Sequence, residues 1–263
     1  MTIGTDLQVA LVGYGLGGAA FHAPLIATTP AMTLAGVVTR DPARVAAVRS
    51  RYPACRILSG AEELFADADA WDLVVVSTPN VTHVPLATAA IEAGLPCVVD
   101  KPVTTDVESA RALGRSAAAR GVPLVPFHNR RWDGDFLTVV ELIGAGRLGA
   151  VHRIESRFER WRPTVGAPTG WRDDPNAGGG VLNDLGPHLV DQVLVLWGRP
   201  SGVYAELDIR RGGATSVDDA FVALSWPDGR RAHLWASATV AMPGPRLRVL
   251  GSRAAYVLSL IHI

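Results

Sequence analysis

Lysine is nearly absent from this chain: 24 of its 25 basic residues are arginine, and Lys101 is the one lysine. A sequence that uses arginine at every other cationic position keeps a single ammonium, a compact point charge with a tunable proton affinity that guanidinium lacks. Its neighbours Asp100 and Pro102 place it at a strand end, where open α/β sheets bind ligands; the plain alternative is a surface survivor. Cysteine is almost as scarce. Cys55 and Cys97 stand in neither metal-ligand nor redox spacing, which excludes a disulfide framework, gives no metal site and fits a reducing compartment, so the protein is expected to be cytoplasmic. No apolar run approaches the roughly twenty residues of a membrane span, and the N-terminus reads directly as a strand and not as a leader. Neither sign of charge is in excess: 25 basic and 25 acidic residues cancel without a run of either. Nucleic acid and anionic membranes are therefore not expected partners, and a small molecule is. With 263 residues there is room for two ordinary domains.

The first half alternates short apolar runs with helical segments, the pattern of a doubly wound parallel sheet. Strands are predicted at Leu7 to Val12, Thr33 to Thr39, Arg56 to Leu58, Leu73 to Ser77, Cys97 to Asp100 and Pro123 to Pro126. Helices are predicted at Gly18 to Thr28, Pro42 to Arg51, Ala61 to Ala66, His83 to Ala93 and Asp106 to Arg120, with Asp41 and Asp106 as caps and Gly94 and Gly121 as stops. The first domain is expected to span residues 1–123. Residues 124–263 read as an α+β domain: a helix at Phe136 to Ile143, a strand at Val151 to Glu159 and a helix near Leu182 to Trp197. Strands follow at Val203 to Arg210, Ala220 to Trp226, Arg231 to Ala238 and Leu247 to Leu250, suggesting a predominantly antiparallel sheet. The last six residues, Leu258 to Ile263, read as foreign to what precedes them. The natural chain is expected to continue differently after Val257, leaving the second domain incomplete at its C-terminus and one sheet edge unpaired.

Gly13-Tyr14-Gly15-Leu16-Gly17-Gly18 follows the first strand and opens a helix, with glycine at three fingerprint positions, 13, 15 and 18. The first permits the tight turn, the second removes a Cβ that would block a pyrophosphate, and the third lets helix and strand pack closely, so that phosphates meet free N–H groups at the helix start. Leu16 and Gly17 lie within the same turn. The second strand ends Val38-Thr39-Arg40. An acidic residue there would serve the ribose hydroxyls of NAD, whereas Arg40 can clamp a 2′-phosphate and Thr39 can donate beside it, so NADP is expected over NAD. Asp41, one residue late and followed by proline, reads better as a helix cap. The fourth strand ends Ser77-Thr78-Pro79-Asn80 and the fifth Asp100-Lys101-Pro102, putting polar groups where the nicotinamide half would lie. His83 is either an ordinary first helical residue or a contact to cofactor or substrate.

In the second domain, Gly178-Gly179-Gly180 leads into Asp184, His188 and Asp191, whose spacings of four and three stack them on one helix face. Pro187 leaves two readings. If it is the first helical residue, Asp184 sits just outside the helix. By itself the stripe fits a solvated face as well as a site.

Taken together, these residues resemble the glucose-fructose oxidoreductase and inositol dehydrogenase family, Gfo/Idh/MocA. The resemblance runs over nearly the whole chain up to Val257, and is nearest the NADP-dependent scyllo-inositol dehydrogenase subgroup. It rests on the glycine turn followed by Phe21-His22-Ala23-Pro24, on Asp100-Lys101-Pro102, on His128-Asn129-Arg130-Arg131-Trp132-Asp133, and on Asp184-Leu185-Gly186-Pro187-His188 with Asp191. The family usually has Glu where this chain has Asp100, a change that preserves the carboxylate. The resemblance implies hydride transfer between a nicotinamide and a secondary alcohol of a sugar or cyclic polyol. It implies that Lys101 holds the reacting oxygen, that His188 is the general acid or base, and that Asp184 hydrogen-bonds the substrate. A histidine to take the proton and a cation to stabilise the alkoxide make chemical sense of that division. It also suggests Asn129, Arg131 and Trp132 for the substrate floor, with Trp161, Arg162, Trp171 and Arg172 as weaker candidates. By the same analogy the second-domain sheet is a homo-oligomer surface. The alternative is a regulatory protein of the same fold that senses the dinucleotide without catalysis; such a sensor could lose the proton-transfer groups, and this chain keeps them. The particular substrate is not legible.

Overall fold

The computed structural model describes residues 6–165, 174–175 and 178–259. Backbone packing divides the chain into two units, Met1–Phe127 and His128–Ile263.

The first unit holds strands β1 (Leu7–Val12), β2 (Met32–Val38), β3 (Arg56–Leu58), β4 (Leu73–Val76), β5 (Cys97–Asp100) and β6 (Leu124–Phe127). They form one sheet in the order β3-β2-β1-β4-β5-β6, and every neighbouring pair is parallel. The expected limit at residue 123 moves to the end of β6, because Leu124 to Phe127 pair with Cys97 to Asp100. Val9, Ala10 and Leu11 in β1 and Val74 and Val76 in β4 are wholly buried, as unbroken apolar runs are when helices cover both faces. Those helices are α1 (Ala23–Thr28), α2 (Pro42–Arg51), α3 (Ala61–Ala66), α4 (His83–Glu92) and α5 (Val107–Arg120). The caps act as their side chains suggest: the Asp41 carboxylate accepts the Arg44 N–H at 3.0 Å, and that of Asp106 accepts the Ser109 N–H at 2.6 Å. Each such cap stabilises its helix by about 1 kcal/mol. Gly121 closes α5 in the left-handed region at φ +67°. The stretch expected as one helix from Gly18 to Thr28 is two pieces. Gly18–His22 forms a wide π turn in which the Ala23 N–H reaches back to the Gly18 carbonyl, and α1 follows.

The second unit comprises α6 (Gly134–Gly144), β7 (Val151–Glu159), α7 (Val181–Trp197), β8 (Gly202–Asp208), β9 (Asp219–Ser225), β10 (Arg231–Ser237), β11 (Leu247–Gly251) and β12 (Ala255–Leu258). Its sheet runs β12-β11-β7-β10-β9-β8. The pairing is antiparallel except between β7 and β10, which lie parallel from Arg153↔Arg231 to Glu159↔Ser237. A parallel pair needs a long crossover, and the intervening chain supplies it through α7 and the β8–β9 hairpin. Alternation along β10 buries Ala232, Leu234 and Ala236 in the core shared with Leu185, Leu189 and Val193 of α7. Each such buried leucine or valine contributes roughly 2 kcal/mol. Pro187 lies inside α7 and does not begin it. Asp184 is therefore a first-turn residue, its N–H bonded to the Gly180 carbonyl at 3.0 Å, and the absent N–H of Pro187 leaves the Asn183 carbonyl outside the ladder. Leu258, suspected as foreign, pairs with Leu247 in edge strand β12. Residues 260–263, Trp171 and Arg172 lie outside the described residues. No helix among the described residues is long and apolar enough to cross a membrane.

Candidate functional site

In the first unit the chain leaves β1 toward β2 on one side and returns through β4 on the other, so the strand order reverses between β1 and β4. Ligands of open α/β sheets bind at the carboxyl ends of the strands flanking such a reversal. The glycine turn sits there. Gly13 has φ +97°, and a Cβ on it would stand 2.3 Å from the Ser77 carbonyl oxygen. A Cβ on Gly18 would stand 2.2 Å from the carbonyl oxygen of Gly13. These two glycines are required by the fold. Gly15 is different: nothing lies within 4 Å of where its Cβ would be, and Leu16 beside it is 73% exposed. The protein's own packing gives no reason for glycine at 15, whereas a pyrophosphate approaching the turn does. The residues present therefore fit a dinucleotide.

Gly17 makes room for a polar cluster. A Cβ there would meet Ser77 Oγ at 2.6 Å and Asp100 Oδ2 at 3.0 Å. Ser77 Oγ donates to Asp100 Oδ2 at 2.6 Å, and His22 Nε2 lies 2.8 Å from Asp100 Oδ1. Burial pushes the Asp100 carboxyl up, but the bonds from His22 and Ser77 outweigh it and hold the group below the usual carboxylate range. In the sequence His22 stands out only as part of Phe21-His22-Ala23-Pro24; the π turn Gly18–His22 brings it to Asp100, and such turns recur at functional sites. Lys101 is half-buried at the end of β5, with a cis peptide to Pro102. Of the other expected cofactor contacts, Thr39 and Asn80 are buried, Thr78 is half-buried, and Arg40 and Pro79 are exposed. The Asp41 carboxylate is occupied as the α2 cap. His83 is corrected. Its ring is 1% exposed, with Nδ1 2.8 Å from the Pro102 carbonyl and Nε2 2.8 Å from that of Thr78, so it has no surface to offer a ligand.

In the second unit, α7 carries Asp184, His188 and Asp191 along one face. That face is no solvated stripe: His188 and Asp191 are buried, and Asp184 is half-buried. The helix is anchored at its start by the Val181 N–H, which donates to the Val217 carbonyl at 2.8 Å. Residues Asn129–Trp132 form a 3-10 turn against it. Asp191 accepts two bonds from Arg131, Nε at 2.7 Å and Nη2 at 2.6 Å, with His128 Nε2 at 3.7 Å. Gln192 Nε2 donates to the Arg130 carbonyl at 2.9 Å. The expected substrate role of Arg131 is corrected to this extent: its fork is filled by Asp191 and braces the turn. Asn129 is half-buried and Trp132 is 74% exposed. Trp161 makes an isolated bridge to Thr239, and the Arg162 N–H donates to the Ala238 carbonyl.

Arg246 escaped the sequence reading. It is buried, donates from Nη1 to Ser156 Oγ at 2.6 Å, faces Asp135 at 3.4 Å and lies 4.0 Å over the Phe158 ring. Burial lowers its proton affinity from the ordinary arginine value. Arg130 lies 4.8 Å from the same ring centre, which stands 6.3 Å from the His188 ring. A lone arginine after Pro243-Gly244-Pro245 carried no signal of this. Among the described residues no group of three or more His, Cys, Asp or Glu is placed to hold a metal ion.

Comparison with known proteins agrees with this geometry. The pattern of the oxidoreductase family with an NAD-binding Rossmann fold matches residues 7–128, and that of the GFO/IDH/MocA C-terminal domain matches residues 136–257. The chain is 43% identical over 252 residues to the uncharacterized oxidoreductase YdgJ of Escherichia coli, covering 96% of this chain and 71% of that one. It is 34% identical over 252 residues to scyllo-inositol 2-dehydrogenase (NADP(+)) IolW of Bacillus subtilis, covering 95% and 68%. Among solved structures, GenD2 from gentamicin A biosynthesis, in complex with NAD, superposes with a TM-score of 0.82 at 30% identity, covering 99% of this chain and 74% of that one. An NAD-binding protein from Listeria innocua gives a TM-score of 0.87 at 29% identity, covering 97% and 73%. A parallel sheet built around a glycine turn, a second sheet under α7 and both family patterns converge, and the chain is an oxidoreductase of the GFO/IDH/MocA family.

Proposed function

We propose that the chain is an NADP-dependent dehydrogenase or reductase that acts on a secondary alcohol or ketone of a sugar or cyclic polyol of the inositol kind. The observation that carries the cofactor preference is at the end of β2. Asp41, the carboxylate that could serve a ribose, is spent on the Arg44 N–H, while the Arg40 side chain beside it is exposed. A guanidinium there suits a 2′-phosphate and a carboxylate repels it. NADP supplies the hydride acceptor or donor when bound, with Gly13, Gly15, Leu16, Gly17 and Gly18 at the pyrophosphate and Ser77 to Asn80 and Asp100 at the nicotinamide half.

Lys101 is assigned to the reacting oxygen of the substrate, where an ammonium stabilises a developing alkoxide. His188 takes the hydroxyl proton in oxidation and returns it in reduction. Asp184 accepts a hydrogen bond from the substrate, and Asn129 and Trp132 bound the sugar. Burial of His188 supports this reading, because excluding water raises the worth of every charge near the reacting group. The presence of all three groups favours an enzyme over a sensor. We further infer self-association through the face of the second sheet opposite α7, where Tyr204, Phe221, His233 and Trp235 pack edge-on or tilted at ring separations of 5.1 to 6.5 Å; light scattering after gel filtration tests it.

The decisive experiment titrates the purified chain with NADPH and NADH in parallel by tryptophan quenching, then screens inositols and aldoses for turnover. NADPH should bind the tighter, and Arg40→Asp should weaken it by roughly ten- to a hundredfold, the worth of charge-assisted bonds. His188→Ala and Lys101→Ala should keep binding and lose turnover. Binding of neither dinucleotide by chain shown folded by circular dichroism would overturn the assignment.

A further inference from the structure

The backbone ladder between β4 and β5 ends at Val76↔Val99. Beyond it, the two chains that carry the candidate cofactor residues are held by side chains. The first rung is Ser77 Oγ on Asp100 Oδ2 at 2.6 Å. The second is the His83 ring, which spans from the Thr78 carbonyl to the Pro102 carbonyl, 2.8 Å at each end. A carbonyl oxygen only accepts, so a ring N–H donates to one of these carbonyls while the other ring nitrogen packs 2.8 Å from the second. His83 is the first residue of α4 and is 1% exposed, so its place is set by the helix and the core beneath it. Lys101 lies immediately before one end of the span, and the Ser77 to Asn80 loop contains the other.

We propose that His83 is a positioning residue of the cofactor site: by spanning Thr78 and Pro102 it sets the spacing of the two loops beyond the strand ladder. It thereby fixes where Lys101 stands relative to the nicotinamide half of a bound dinucleotide. This rests on the dinucleotide reading above. The adenine half, served by the glycine turn and Arg40, does not depend on the span. His83 thus acts on one half of the cofactor and not the other.

The test separates the halves. Binding of NADPH and of adenosine 2′,5′-bisphosphate, which lacks the nicotinamide, is titrated on the wild-type chain, on His83→Gln, which keeps one donor, and on His83→Phe, which keeps none. The expected result is a rise in the NADPH dissociation constant of roughly tenfold for Gln and more for Phe, the scale of one or two buried hydrogen bonds, with the bisphosphate unchanged within about twofold. Equal weakening of both ligands would show a general loss of structure and overturn the proposal, as would NADPH binding that neither variant disturbs. A second measurement needs no stable variant: nitrogen-15 spectra of the wild-type histidine rings, assigned through ring-to-backbone correlations. A His83 ring N–H protected from solvent exchange supports the span, and one that exchanges freely refutes it. If the wild-type chain binds neither ligand, the dinucleotide reading fails first and this inference falls with it; wild-type binding with indifferent variants sinks this inference alone.

Discussion

Two glycines three positions apart should respond to the same added methyl in opposite ways. In Gly15→Ala the new Cβ meets nothing within 4 Å, and Gly15 is not among the residues with positive φ. The free protein therefore loses no contact and gains no strain, and the smaller entropy of the unfolded chain adds about 0.4–1 kcal/mol of stability. In Gly18→Ala the Cβ would stand 2.2 Å from the Gly13 carbonyl oxygen. Both partners are backbone in the tightest part of the turn, so relief requires moving the start of the helix off β1. Overpacking of this kind costs about 1–3 kcal/mol. At about 2–4 °C per kcal/mol for a chain of this size, Gly18→Ala should melt roughly 2–12 °C lower, and Gly15→Ala unchanged or slightly higher. The ligand reverses the ranking for Gly15. A methyl in the open space that a pyrophosphate would fill should weaken NADPH by at least about tenfold. Thermal melts followed by circular dichroism, with and without NADPH, read both effects. A Gly15→Ala chain that is markedly less stable, or that binds NADPH as tightly as wild type, would refute the claim that position 15 is reserved for a ligand.

The Asp100 carboxyl is held down in the folded chain, so its contribution to stability is present above the unfolded carboxylate range near pH 4 and is lost as pH falls through the folded value. Urea midpoints between pH 6 and 3 should therefore fall less steeply in Asp100→Asn than in wild type, and equal slopes would contradict the assignment. Asp191→Ala strands Arg131 and loosens the Asn129–Trp132 turn. With Arg131 partly exposed the expected cost is about 1–2 kcal/mol, read as a lower urea midpoint; no change would mean that the turn is held by Gln192 alone. Burial pushes the Cys97 thiol up to about 12 and that of Cys55 up to about 11. Neither should react with a disulfide reagent at pH 8 until the chain unfolds, and rapid native-state labelling would show that one of them is accessible.

Local chemistry determined much of this protein in advance. Unbroken runs such as Val9-Ala10-Leu11 and Val74-Val75-Val76 mark buried parallel strands, and Asp41-Pro42, Asp106 and Gly121 mark helix ends, because caps and stops act over three or four residues. The glycine turn was legible for the same reason: its strand, turn and helix are contiguous. Partnership across the fold was not. That β7 and β10 pair in parallel depends on which edges meet after α7 and the β8–β9 hairpin have been laid down. Pro187 allowed two helix starts, and the anchoring of Val181 on Val217 decided between them. His22 finds Asp100 across 78 residues, Arg131 finds Asp191 across 60, and His83 turns inward to two carbonyls and away from a ligand. Sequence names the groups able to donate, accept or carry charge; only tertiary structure brings a distant partner to 2.8 Å, and at that distance the low dielectric of the interior decides which of those groups stay paired and which remain for chemistry.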